Sequence, residues 1–237
     1  MKTVQKLPSL RVLLKKLVCY LCGLLLISVG INISKLSALG ISPVSSIPRV
    51  LELYCGLTLG TTSNIITVVL LFSQFLLLRK KFRLTNLLGG LVGLLLGVMM
   101  DLTGTDPNAF GHLLYGLPRP NNYFLRLIYI VISIVVIGVG VFLYLRPHWV
   151  PMPPEGLAAA ISQVSNKTFG DCKTFVDTGL ITLALILQLI FLGGFSSFTG
   201  EYTAVREGTI LIALLVGQVV KMISKRCATP LESWLNQ

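Results

Sequence analysis

Charge is scarce in this sequence. Only 12% of its 237 residues are charged against 54% hydrophobic, and 9 acids stand beside 20 lysines and arginines. That is about half of the ~25% charged fraction of an average soluble domain, too little to cover a water-soluble particle of this length. Histidine is scarcer still, with 2 in the chain. His112 and His148 fall on opposite sides of a membrane in the topology argued below, so neither a paired-histidine metal centre nor a shared Ser-His site is easy to build. The sequence also lacks G-x-S-x-G, H-E-x-x-H and a phosphate loop. These absences argue against an enzyme and leave no metal or other cofactor to expect. The five cysteines suggest no disulfide framework: Cys19 and Cys22 share one apolar run, and Cys55, Cys172 and Cys227 are scattered.

What the chain does have is long apolar runs. Windows near 14–34, 61–78, 85–104, 123–145, 174–194 and 205–223 approach the ~20 residues needed to cross a bilayer. The last is among the shorter ones and relies on Lys221 snorkelling to the interface. Charges gather at the edges of these runs, as expected where a charge at the bilayer centre costs about 2.5–3.5 kcal/mol. The first run follows a basic segment with no convincing cleavage site and is expected to stay as a signal anchor and first span. The net charge of +11 does not signal a nucleic-acid partner, because Lys15-Lys16 and Arg79-Lys80-Lys81 flank spans and no basic face interleaves aromatics. With the N-terminus inside, only Lys35, Arg49, Arg119, Arg126 and Arg206 of the 20 basic residues fall outside. Both termini are therefore expected to be cytoplasmic. The Asn166-Lys167-Thr168 sequon then faces the cytoplasm and has no meaning for glycosylation.

Two stretches between spans are too polar and Pro-rich for hydrocarbon, yet too apolar for ordinary loops. One runs from Ser42-Pro43 to Gly60 and the other from Pro151 through Pro153-Pro154-Glu155 to Gly170. Proline is tolerated where a helix begins, so each reads as a short amphipathic or re-entrant helix closed by a glycine turn. The stretches also correspond. A shift of 110 residues lays Val29-Gly30 on Val139-Gly140, Pro43 on Pro153, Thr58 on Thr168 and Gly60 on Gly170; a shift of 120 lays Gly97 on Gly217. Each half holds three spans, an odd number, so the second must enter the membrane from the opposite side. The expected fold is thus an all-α polytopic membrane bundle of about six spans, arranged as two inverted three-helix repeats. Its divisions are a cytoplasmic N-terminal segment (1–13), a first repeat (14–104), an external loop (105–122), a second repeat (123–223) and a cytoplasmic tail (224–237).

Several runs carry a resemblance: Leu39-Gly40-Ile41-Ser42-Pro43, Leu57-Thr58-Leu59-Gly60-Thr61, Leu77 to Phe82, Met100-Asp101-Leu102-Thr103, Gly156-Leu157 to Phe169-Gly170, and Glu207-Gly208-Thr209-Ile210 to Leu215-Val216-Gly217. From about residue 14 to 223 the chain resembles the YczE/YitT-type group of bacterial integral membrane proteins. The resemblance implies a multi-span inner-membrane protein for which export or transport of small molecules is suggested. It carries over no catalytic residues.

Acids at or inside the membrane are the best functional pointers, since each must be paired, hydrated or protonated. Asp177 lies within the fifth apolar run, opposite Thr67 in the repeat, and is the expected proton or cation site, with Lys173 as the neighbour able to oppose it. Asp101 closes the third span. Glu155 opens the second short helix, where capping is the simpler reading. Arg206-Glu207 begins the sixth span, either as a buried-charge turn pairing with Asp101 or Glu201 or as an ordinary interfacial pair. Ser45, Ser46, Thr58, Thr61, Asn64, Gln74, Thr168 and Thr174 are placed to line a solute path, although Ser and Thr also serve as packing residues between helices. The function expected is movement of a small solute across the bilayer by alternating access between the halves. The alternative is a non-transporting accessory, or a solute-capture subunit that depends on separate ATPase partners.

Overall fold

The computed structural model describes residues 10–105, 111, 113–193 and 203–236. Among these the chain is all helical: α1 (Leu10–Ser37), α2 (Pro43–Cys55), α3 (Leu59–Leu78), a 3-10 turn (Arg79–Lys81), α4 (Leu84–Leu102), α5 (Tyr123–Leu145), α6 (Pro153–Ser165), α7 (Phe169–Phe191) and α8 (Glu207–Asn236). Six of the helices, all but α2 and α6, are long and apolar enough to cross a membrane.

The short helices form where expected, but their closing turns differ from the expectation. Gly60 and Gly170 do not close them; each lies in the first turn of the next helix. The turns are Gly56 (φ 69°) and Asn166 (φ 56°), both in the left-handed region that only Gly, and less readily Asn, adopts without much strain. Thr58 and Thr168 then cap α3 and α7, each hydroxyl oxygen accepting from the amide three residues on, Thr61 N and Asp171 N, at 3.2 Å. That cap starts α7 at Phe169, ahead of the apolar window at 174, because Asp171 and Lys173 in its first turns hide the helix from a hydropathy reading. The expected C-terminal tail also differs. α8 continues to Asn236, held by Arg146 on Ser224 Oγ (2.8 Å) and on Glu232, and by Lys15 on the Trp234 carbonyl (3.2 Å).

At the centre α1 and α5 cross antiparallel, and at Gly23, Gly30 and Gly140 their backbones approach too closely for a Cβ. A Cβ on Gly140 would stand 2.8 Å from both Gly23 O and Ile27 N; one on Gly30 would meet Ile137 and, at 3.2 Å, Ser133 O. These contacts are copies of each other under the 110-residue shift, since Gly30, Ile27 and Gly23 correspond to Gly140, Ile137 and Ser133. An interface that maps onto itself between antiparallel helices requires a two-fold axis across the helices, not along them. Apart from α3 on α4 and α1 on α8, the other helix contacts obey the same exchange: α2 on α7 matches α6 on α3, α1 on α4 matches α5 on α8, α2 on α3 matches α6 on α7, and α4 on α6 matches α8 on α2. The core runs through this axis, from Leu24, Ile27 and Ile31 to Ile130, Ile134 and Ile137. Apolar side chains such as Phe72, Phe75, Phe124 and Ile190 face outward, as lipid contact requires.

Candidate functional site

The short helices stop half-way through the bundle. A Cβ on Gly93, mid-way along α4, would meet Pro153 and Thr67, so the first residue of α6 abuts the centres of α3 and α4. Pro151 O lies against Gly89, and Tyr20 and Tyr144 both turn their hydroxyls to Val150 O, at 2.7 and 3.4 Å. The chain before α6 therefore enters from one end of the bundle and returns as a half-helix with its N-terminus inside. The chain before α2 does the same from the other end, where Leu39 O accepts from Gly208 N (2.9 Å) and Ile41 N donates to Ala204 O (3.2 Å).

Beside the buried start of α6 lies a small cavity of about 140 Å³. Gln74, Thr85, Asn86 and Gln163 give it polar walls, with Met152 and Pro153 at one side. Gln74 is buried and donates through Nε2 to Pro153 O at 2.9 Å, so it ties α3 of one half to α6 of the other. The lining offers carboxamides, a hydroxyl and backbone groups but no charged side chain.

The other expected site residues fall into separate groups. Asp101 does not meet Arg206. Its Oδ2 accepts from Thr58 Oγ1 (2.7 Å) and its Oδ1 from Gly60 N (2.8 Å), so the last turn of α4 caps the positive start of α3, with Thr61 Oγ1 2.8 Å from Thr58 Oγ1. Asn64 lies one turn further along the same contact, its Oδ1 buried against Gly97 without a hydrogen-bond partner among the described residues. Arg206 instead pairs with its neighbour Glu207 (2.9 and 3.1 Å) and reaches Ala38 O; Glu201 lies outside the described residues, as does His112. Glu155 caps its own helix, taking Met152 N at 3.3 Å, and also accepts from Tyr144 OH at 2.7 Å. Ser45 and Ser46 are fully buried on α2, the latter bonded back to Pro43 O, so they pack the half-helix and line no open path. Thr168 bonds Asp171 at the far end from Asp101. Asp177 pairs with Lys173 at 2.9 Å, both side chains 29% exposed. It is a paired, half-buried carboxylate, and its partner is the Lys173 named as the neighbour able to oppose a proton-site role.

One ionic group escaped the sequence reading. Glu52 on α2 bonds both Arg49 (2.7 Å) and Lys35 at the end of α1, with side-chain exposures of 6%, 11% and 6%. The charge count alone assigns Lys35 and Arg49 to the outer side and does not reveal that they share a buried carboxylate. The i,i+3 spacing of Arg49 and Glu52 inside an amphipathic helix was the available signal. Two further buried polar groups tie helices together: Asn32 Nδ2 donates to Met100 O and Thr103 Oγ1 (both 2.9 Å), and Gln188 Oε1 accepts from Ala204 N and Val205 N.

Six helices long and apolar enough to span a membrane, with half-helices entering the bundle from both ends, define a multi-pass integral membrane protein. The chain belongs to a family of unknown function, DUF6198, which matches residues 14–225. It is 30% identical over 173 residues to the uncharacterized protein YyaS of Bacillus subtilis (strain 168), covering 73% of this chain and 81% of that one. No solved structure matches the chain.

Proposed function

We propose that the protein carries a small, uncharged, hydrogen-bonding solute across the bacterial cell (inner) membrane by alternating access between its two halves, without catalysing a reaction. The observation that carries this reading is the half-helix α6, whose start lies mid-bundle beside a carboxamide-lined cavity at the contact between the halves. Inverted repeats with interrupted helices meeting at the bilayer centre are the architecture of many secondary transporters. The YczE/YitT-type likeness, with its suggestion of export, points the same way.

Vesicles containing this chain alone test the reading. Shrinkage and swelling after a jump in urea, acetamide or glycerol should be faster than in protein-free vesicles for at least one probe. Gln74→Leu, which removes the carboxamide from the cavity wall, should abolish the difference. Rates equal to the protein-free control for all such neutral probes, or flux that appears only with an added ATPase, would sink the proposal.

The same reading sets both termini on the cytoplasmic side, supported by the basic residues at 79–83 and 221–226. On a cysteine-free background, a cysteine at Lys81 or Lys225 should resist an impermeant thiol reagent in intact cells, and one at Arg119 should react. Labelling of the Lys81 position from outside would invert the topology.

A further inference from the structure

The two halves differ most in one contact. α3 and α4 pack along their length, whereas their counterparts α7 and α8 have no comparable packing among the described residues. On the first pair Gly60 lies against Gly97 and Asp101, Asn64 against Gly97, Thr67 against Gly93 and Leu71 against Gly90. The repeat carries these onto Gly170, Thr174, Asp177 and Ile181 of α7, and onto Gly217, Ala213 and Ile210 of α8. There the helices stand apart. No atom of the described residues lies within 4 Å of a Cβ placed on Gly217, and among them Gly170 meets only Thr168 of its own cap, at 4.0 Å. Gly60 is buried and Gly170 exposed. Yet the other end of the pair is fastened, because fully buried Gln188 on α7 accepts the amides of Ala204 (3.1 Å) and Val205 (2.9 Å) just before α8. α7 and α8 form a V, tied at one end and open at the other.

The charges on the open arms are complementary. Asp101 of α4 meets Thr58 and Gly60 at the start of α3; at the matching places α8 presents Lys221, and α7 presents Asp171 bonded to Thr168, both exposed. The α7 arm is also polar along the face that would meet α8, with Asp171, Thr174, Asp177 and Thr178 at helical spacing. Polar groups held against lipid are expensive, so whatever part of this face lies within the hydrocarbon requires a cover. The geometry points to a second state in which α8 closes on α7, bringing Gly217 against Gly170 and the Lys221 ammonium onto the Asp171 carboxylate. Closure would carry Asp177 from its half-exposed place into the position that Thr67 holds at 5% exposure. In this structure the α3–α4 seam, sealed by Asp101, is shut and the α7–α8 seam, at the other end of the bundle, is open. The reciprocal state would shut the second and release the first. The inference rests on the transport reading and names the gate at that site's open end.

Asp171→Cys with Lys221→Cys, on a full-length cysteine-free background in native membranes, tests it under mild oxidation with copper phenanthroline. A disulfide within one chain is expected, seen as loss of free-thiol labelling with the protein still migrating as a monomer. Adding Gly217→Leu should abolish that crosslink while leaving the melting temperature unchanged, since nothing stands near Gly217 in the open state. The proposal fails if crosslinks form only between chains, which would mean that a second copy covers the seam. It also fails if none form while Thr58→Cys with Asp101→Cys, on the closed seam, crosslinks in the same membranes, or if Gly217→Leu crosslinks as readily as its parent. Because crosslinking needs no solute, a positive result in a protein that moves none of the neutral probes would leave the gate standing and remove only the transport reading.

Discussion

Replacing Gly140 with leucine should eliminate the folded protein. A Cβ there would stand 2.8 Å from Gly23 O and Ile27 N and 2.9 Å from the Ile27 side chain, and the first two are backbone atoms that no rotamer change can move aside. Ordinary overpacking costs about 1–3 kcal/mol because side chains can shift. Here α1 and α5 must separate along the central crossing, and in a bilayer the packing of close backbones is most of what holds two helices together. Gly23→Leu meets the mirror of the same problem, with a Cβ 2.5 Å from Tyr144 N. The measurement is recovery of a monodisperse peak in mild detergent and its melting temperature. Both variants are expected to aggregate or to remain in the insoluble fraction. Gly217→Leu, on the open arm of α8, should yield as much protein as the parent. A Gly140→Leu protein with the parent's yield and melting point would show that the α1–α5 crossing is not the structural centre.

Glu52→Gln should be nearly as damaging, for an electrostatic reason. The carboxylate holds Lys35 and Arg49 in a site where the three side chains are 6–11% exposed. Removing one partner of a buried ion pair strands the remaining charge and costs about 3–5 kcal/mol. Here Arg49 loses its carboxylate, and Lys35, which keeps a further contact, loses one of its partners. Glu52→Asp, which keeps the charge on a shorter arm, should recover part of the loss. Thermal unfolding in detergent reads the order directly: wild type, then Asp, then Gln. If Glu52→Gln melts with the wild type, the cations reach water or headgroups on their own and the cluster is an interfacial one.

Much of the architecture was legible because the bilayer imposes a crude rule on composition. A run of apolar residues long enough to span must be a helix, and α5 begins at Tyr123 and ends at Leu145, where the hydropathy window ends. The half-helices were legible from Pro43 and Pro153, since proline marks a first turn. Boundaries were missed where a hydrogen bond, not hydropathy, sets them: Thr168 starts α7 five residues before its apolar window, and contacts from Arg146 and Lys15 hold the end of α8. The expected polar path did not survive as one site. Ser45, Ser46, Thr58, Glu155, Arg206 and Gln74 are all polar residues near membrane-spanning helices, but which atom each one satisfies depends on the neighbouring element. Asp101 illustrates this, having been read with Arg206 and found capping α3. Only spacing recurs in a sequence, and a buried partner forty residues away leaves no local trace.

By itself the sequence determined the spans, the two short helices and the relation between halves, because length, apolarity, proline and the recurrence of Gly, Pro and Thr at one offset are properties of the chain alone. Only the tertiary structure decided which copies of a repeated contact are made. Gly60 and Gly170 are the same residue in the same local sequence position, and so are Gly97 and Gly217, yet the first pair of helices is shut and the second stands open. Local sequence sets what each helix can pack against. One chain can close its two related seams to different extents because each closure is a separate balance of backbone contact, capping and charge, settled in space by Asp101 on one seam and still unmade between Asp171 and Lys221 on the other.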